Sequence, residues 1–268
     1  MLNVPLVGGC PDGRGPAPSA ARADSAPVTD PLDALDAGPE VADADLTGAD
    51  PERVRDRLER GHGTPWVLRR CVLDELDLSG VDLTGATLDR VRATGVRLRG
   101  AVLDGVRVDG GSLAAAQMLD ADLTDAVLTG VDLSRAQLVG AHLTDTVFRD
   151  CRMVGVDLSG LRDLAVTFTV DGCSLALARL ADSHLRGWRL DRVDLSDADL
   201  SGADLRDVVL TDSKLRGTDL THARLTGADL RGADLGEITP ETPAVLRGAI
   251  VSTEQAADVC RALGLQVV

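Results

Sequence analysis

The sequence predicts an all-β solenoid, a tower of stacked square coils, and three observations predict it. An apolar residue, mostly Leu, recurs every fifth place over about 165 residues. A small or apolar residue stands two places before each of these. Aromatic residues are almost absent, with two Trp, two Phe and no Tyr in 268 residues. A broad globular core would use more rings, because each buries so much area. A core of Leu, Val and Ala points to a narrow, regular interior.

The period of five excludes the ordinary elements. At 100° per residue, a step of five turns 500°, so the leucines would spiral all round a helix. In a single strand, a step of five changes face each time. The pattern closes only if the backbone turns a corner every five residues. Each side then carries two inward residues with one outward residue between them, followed by a two-residue bend. Ser, Thr, Gly, Asp and Arg fill the bends, as turn chemistry requires. Such coils pair backbone to backbone about 4.8 Å apart and bury their leucines only against their neighbours.

In chain order, residues 1–49 are rich in Ala, Pro, Asp and Gly without a period, and acidic residues outnumber Arg14 and Arg22. They read as a disordered acidic arm. Residues 50–70 hold a short capping helix and linker: Asp50 is its N-cap, Pro51 its first residue, Gly61 its stop, and Val54 and Leu58 share one face. The repeat occupies 71–235, from CVLDE-LDLSG-VDLTG at Cys71 to RGADL at Leu235. Its phase breaks at 159–174, where Leu158 to Leu175 spans three repeats plus two residues. Within the break Leu164, Val166, Phe168 and Val170 alternate. Two readings stand: a bulge that absorbs two residues, or a projecting loop that touches a partner through Arg162 and Asp163. Trp188, at a small-residue position, either fills space beside the break or lies partly exposed. Residues 236–268 leave the repeat: ITPETP is a turn, VLRGAIV a short strand, and STEQAADVCRALGLQVV a helix opened by a Ser252–Gln255 capping box and ended by Gly264. Ala256, Val259, Cys260 and Leu263 line one face of it.

These repeats resemble the pentapeptide-repeat family and its A(D/N)LXX consensus. ADLTD at 121–125, VDLSR at 131–135, ADLSG at 198–202, ADLRG at 228–232 and ADLGE at 233–237 carry the likeness. The resemblance implies a right-handed quadrilateral β-helix with four repeats per coil, hence roughly eight coils and a tower about 40 Å long. The Qnr- and MfpA-type members of the family resemble B-DNA in width and charge and occupy the DNA-binding surface of DNA gyrase or topoisomerase IV. The likeness therefore implies a non-enzymatic DNA mimic that modulates the topoisomerase or protects it from inhibitors. It also implies a C-terminal segment (here Ala256, Val259, Leu263 and Leu265) that either caps the tower or also joins two copies. The alternative is an interaction scaffold for an unrelated cytoplasmic protein.

Charge bears on that choice. The chain has 28 Lys and Arg against 43 Asp and Glu, a net charge of −15. Direct nucleic-acid binding needs clustered cations, so it is not expected. Between 71 and 235 there are 27 acidic and 18 basic residues, a net of −9. About 40 Å of duplex carries roughly 24 charges. Arg90, Arg92, Arg97, Arg99 and Arg107 make the early coils locally basic. The expected partner surface is the later acidic stretch: Asp194, Asp199, Asp204, Asp219, Asp229 and Asp234. With twenty residues per coil, Asp199 and Asp219 share one face, and Asp194 and Asp234 another. The bland reading of the same aspartates is turn stabilisation.

Enzyme chemistry finds no foothold. His62, His142, His184 and His222 have no ligand spacing, and neither GxSxG nor a phosphate loop occurs. No metal or cofactor is expected. Five cysteines at wide spacing, with no CxxC, fit neither a disulfide framework nor a zinc site, and a reduced cytoplasmic setting is expected. The N-terminus lacks a signal-peptide pattern, and no apolar run reaches the ~18 residues of a membrane span.

Overall fold

A computed structural model describes residues 30, 32–60, 64–161 and 169–268. From Leu32 onward the elements run α1 (Asp33–Asp36), β1 (Glu40–Ala42), α2 (Pro51–Glu59), β2 (Val67–Arg69), β3 (Thr87–Asp89), β4 (Arg107–Asp109), β5 (Val127–Thr129), β6 (Val147–Arg149), β7 (Thr169–Asp171), α3 (Thr242–Val245) and α4 (Thr253–Ala262). The seven strands form one parallel sheet in sequence order, β1 to β7. Single parallel bridges continue that first face through Arg189, Val209, Asp229 and Ile250.

Three further columns of bridges make the other faces. The second runs Asp45, Val72, Arg92, Ser112, Asp132, Arg152, Ser174, Asp194, Lys214, Asp234. The third runs from Asp77 and Arg97 to Asp199 and Asp219. The fourth joins Asp82, Val102, Asp122 and His142, then His184, Asp204 and Arg224. The period-five sequence thus folds as a four-sided parallel β-solenoid. Leucines of all four faces point inward and are buried, for example Leu73, Leu78, Leu83 and Leu88.

Local chemistry sets each corner. On the second, third and fourth faces the residue after the bend donates its N–H to the inward residue before it, as Ala86 does to Leu83 C=O at 2.9 Å. The second bend residue has positive φ, which makes this a type II turn and favours Gly, Asn or Asp there. Gly85 (φ 68°) and Asp125 (φ 56°) show both solutions. At Gly111 the constraint is also steric: a Cβ would lie 2.2 Å from Val91 O, on top of the backbone of the coil below.

The phase break costs the tower two residues and no register. Val147 pairs with Thr169, Arg152 with Ser174 and Asp157 with Arg179, each 22 apart, after which the step returns to twenty at Arg189. Val170 is buried in β7. Leu164, Val166 and Phe168, and the expected loop contacts Arg162 and Asp163, lie outside the described residues. Trp188 is buried, so it fills the core beside the break, as does Phe148 in a leucine position of β6.

Three expectations need correction. The arm expected over 1–49 does not hold over 32–49, where β1 pairs with β2, Asp45 bridges Val72, and Leu32, Leu35, Val41 and Leu46 are buried; residues 1–29 lie outside the described residues. The unbroken run of repeats begins at Val67, inside the span read as linker. The strand expected from VLRGAIV is only the bridge at Ile250, because α3 takes Val245 and the chain then turns through Gly248. The two terminal helices form as read. Asp50 caps α2 by accepting from Glu52 N–H, and Ser252 and Gln255 close both bonds of the capping box on α4.

Candidate partner-binding surface

Aspartate recurs on this surface first because it builds corners. The carboxylates of Asp77, Asp82, Asp122, Asp132, Asp157, Asp194, Asp199 and Asp219 each accept the backbone N–H two residues on, at 2.9–3.1 Å. A Ser or Thr hydroxyl often adds a second bond, as Ser79 does to Asp77 at 2.7 Å. This is the Asx turn. It lowers the carboxyl pKa of Asp77, Asp82 and Asp219, with the hydroxyl partner as the main cause.

The six aspartates expected to bind a partner do not form one ridge. Asp194 and Asp234 lie on the second face, Asp199 and Asp219 on the third, Asp204 on the fourth and Asp229 on the first. The pairs expected from the twenty-residue step are present: Asp199 bridges Asp219 directly, and Lys214 sits between Asp194 and Asp234. Four of the six are held by cations. Lys214 reaches Asp194 at 3.2 Å, Arg231 reaches Asp229 at 2.6 Å and Arg216 reaches Asp234 at 2.5 Å. Asp204 is buried between Arg206 and Arg224, at 2.5 and 3.2 Å, and the Arg206 bond holds its carboxyl down to about 2. Only Asp199 and Asp219 have no ion pair among the described residues.

Unpaired carboxylates gather elsewhere, on the fourth face of the early coils. The outward positions there and the corners that follow them read Asp82, Val102, Asp104, Asp122 and Asp125, with Thr84 and Thr124 between them, and Arg99 stands on the corner that leads into the face. Asp82, Asp104, Asp122 and Asp125 have no ion pair among the described residues. Two coil steps, about 10 Å at strand spacing, separate Asp82 from Asp122. One strand of B-DNA places about three phosphates along that length, so the strip matches a single strand in charge density. Sequence reasoning missed it by scanning for acid-rich stretches along the chain; reading the same residues at intervals of twenty finds it.

At the C-terminal end, Ala256 and Val259 of α4 are half-buried, while Leu263 and Leu265 are about half exposed. No residue of α4 is buried. Gln255 fastens the helix by donating to Leu230 O and Ala233 O of the last coil, at 2.8 and 2.7 Å.

Among the described residues no cluster of three or more His, Cys, Asp or Glu could hold a metal, and no helix is long and apolar enough to cross a membrane. Cys71, Cys151 and Cys173 are buried, on inward positions of the coils.

A four-sided solenoid with an Asx-turned, charged exterior is a protein whose outer faces carry whatever specificity it has. The model of the family described as pentapeptide repeats matches residues 67–105, 121–160, 173–212 and 203–237, more than half of the chain, and the chain belongs to that family. Among solved structures, it is similar to a trypsin-treated variant of QnrB1, described as a plasmid-mediated fluoroquinolone resistance protein, at 22% identity and a TM-score of 0.65. That match covers 74% of this chain and 99% of the other. Full-length QnrB1 matches at 20% identity and a TM-score of 0.64, over 74% of this chain and all of the other. HetL of Nostoc sp. strain PCC 7120, a pentapeptide-repeat protein involved in heterocyst differentiation regulation, is 31% identical over 72% of this chain and 86% of its own, with a TM-score of 0.45. No curated protein sequence matches significantly.

Proposed function

We propose that this protein is a non-enzymatic DNA mimic that binds the DNA-binding surface of DNA gyrase or topoisomerase IV and modulates the enzyme or protects it from inhibitors. The observation that carries the reading is the fourth-face strip of Asp82, Asp104, Asp122 and Asp125, unpaired and matched in density to one DNA strand. The likeness to QnrB1, a fluoroquinolone resistance protein by name, supports the same partner class. Asp199 and Asp219 extend the acidic surface on the third face. A homodimer through α4 would cover Leu263 and Leu265 and lengthen the tower.

A supercoiling assay with and without a fluoroquinolone tests this reading. Inhibition, or relief from the drug, should fall about tenfold when the four strip aspartates become Asn, since each removes a charge facing a cationic groove. The same changes at Asp194, Asp229 and Asp234, whose charge is already met by Arg or Lys, should matter less. Equal effects from both sets would remove the strip as the site, and no effect of the protein on either enzyme would remove the reading. Sedimentation velocity of the wild type and of Leu263→Asp checks the dimer.

The second reading is a scaffold for an unrelated protein. It is favoured by the late coils, where Asp194, Asp204, Asp229 and Asp234 alternate with the cations that bind them and so present both signs.

A further inference from the structure

The solenoid ends half a coil early and leaves a strand edge exposed. Each rung hands three backbone groups up to the next. On the third face Asp219 N–H donates to Ala198 C=O at 2.9 Å, while Leu200 N–H and Gly202 N–H donate to Asp219 C=O and Thr221 C=O at 2.9 and 2.8 Å. The last rung of that face, residues 218–222, offers the same set: Thr218 C=O, Leu220 N–H and His222 N–H. None of the three has a hydrogen-bond partner among the described residues. The cause is topological. After Asp229 and Asp234 rebuild the first and second faces, the chain leaves the repeat beyond Leu235, so no further rung stacks on the third.

Above this edge, beneath α3, is a cleft of about 350 Å³. Leu215, Leu220, Leu235, Val245 and Leu246 give it apolar walls, Asp219, Glu237 and Glu241 are its charged lining, and no Lys or Arg lines it. Unpaired strand edges are templates for further strands, and added strands take affinity from the backbone and specificity from alternate side chains.

We propose that residues 218–222 receive an extended segment of a partner protein as an additional parallel rung. The segment would have a small residue over Thr218, a Lys or Arg over Asp219 and a leucine-like residue over Leu220. Charge complementarity selects this occupant over a second copy's exposed tail, since residues 263–268 contain no basic residue. The proposal uses no carboxylate of the fourth-face strip and stands apart from the topoisomerase reading.

The probe is a fluorescein-labelled peptide, acetyl-Ala-Lys-Leu-Ser-Gly-Ala-amide, titrated into the full chain with anisotropy and residue-resolved amide exchange as readouts. Binding should saturate and slow exchange at Leu220 and His222 about tenfold. Asp in place of Lys should weaken binding about tenfold, by like charge against the carboxylates. N-methylation of the lysine amide, which deletes the donor to Thr218 C=O, should weaken it several-fold. The double variant Glu237→Gln, Glu241→Gln, both at exposed positions, should do the same with the fold intact. Four outcomes overturn the proposal: no binding at millimolar peptide, binding with exchange at Leu220 and His222 unchanged, equal binding of the Lys and Asp peptides, or tighter binding of a peptide copied from residues 263–268.

Discussion

The two ends of the solenoid are closed by the same device, an N-capped helix, to different effect. At the N-terminal end α2 buries Val54 and Leu58 against the first coil, and Trp66 is buried beside them with its indole N–H on Leu58 C=O at 2.9 Å. Arg55 adds a bond to Ser79 O of the third face at 3.2 Å. At the C-terminal end α4 buries no residue, holds on through the Gln255 amide, and leaves the third face open. A solenoid needs its leucines covered: the N-terminal end does this with fully buried side chains, and the C-terminal end with the half-buried Leu235, Leu246, Ala249 and Val251. The N-terminal end is therefore where stability resides, and the C-terminal end is where exchange with a partner costs least.

The largest test of that contrast is Leu58→Ala. Removing a buried leucine should cost about 2–5 kcal/mol, read as a lower urea midpoint. Deleting α4 onward (residues 253–268) should cost less, about 1–2 kcal/mol, since it removes the Gln255 bonds and only partly buried area. Equal losses at the two ends would erase the contrast.

Next in size is acid. Asp204, buried near the C-terminal end, has its carboxyl held at about 2 in the fold against an ordinary 3.8. A carboxyl lowered by folding stabilises the fold above its unfolded pKa, and that contribution is lost as pH falls from about 4 to about 2. Allowing for the solvated arginines, it amounts to about 1–2 kcal/mol. Asp204→Asn should remove this share at neutral pH and flatten the acid limb of the stability curve. An unchanged acid limb would place the sensitivity elsewhere.

The smallest is Gln255→Ala, about 1 kcal/mol for the lost bonds. It should appear as faster exchange within α4 and leave the early coils untouched. A global loss would mean that the two ends are coupled.

Most of this fold was legible because the repeat writes its geometry on every fifth residue. Leu73, Leu78, Leu83 and Leu88 fix four sides without any long-range information, and the seventeen residues from Leu158 to Leu175 announce two extra. The first coil was hidden by a helix. Ala44-Asp45-Leu46-Thr47-Gly48 is a good repeat, but α2 stands between it and the run, and the step from Asp45 to Val72 is 27, no multiple of five. The site was less legible than the fold. Whether an aspartate is free depends on residues one coil away: Lys214 on Asp194 is twenty along the chain, Arg216 on Asp234 eighteen. A scan for acidic stretches chose the coils with most aspartates, and those were the coils where cations had met them.

The Asx turn has an evolutionary consequence. Because the carboxylate of Asp82 or Asp122 fastens its own corner, the negative sign is a by-product of the folding code and is hard to mutate away without loosening a turn. The arginines carry no such duty. Arg206, Arg216 and Arg231 project from bends that tolerate many residues, so a lineage can unmask or mask a given carboxylate by changing its cation alone. Partner choice in such a tower can drift through its positive residues while the architecture holds the negative ones in place.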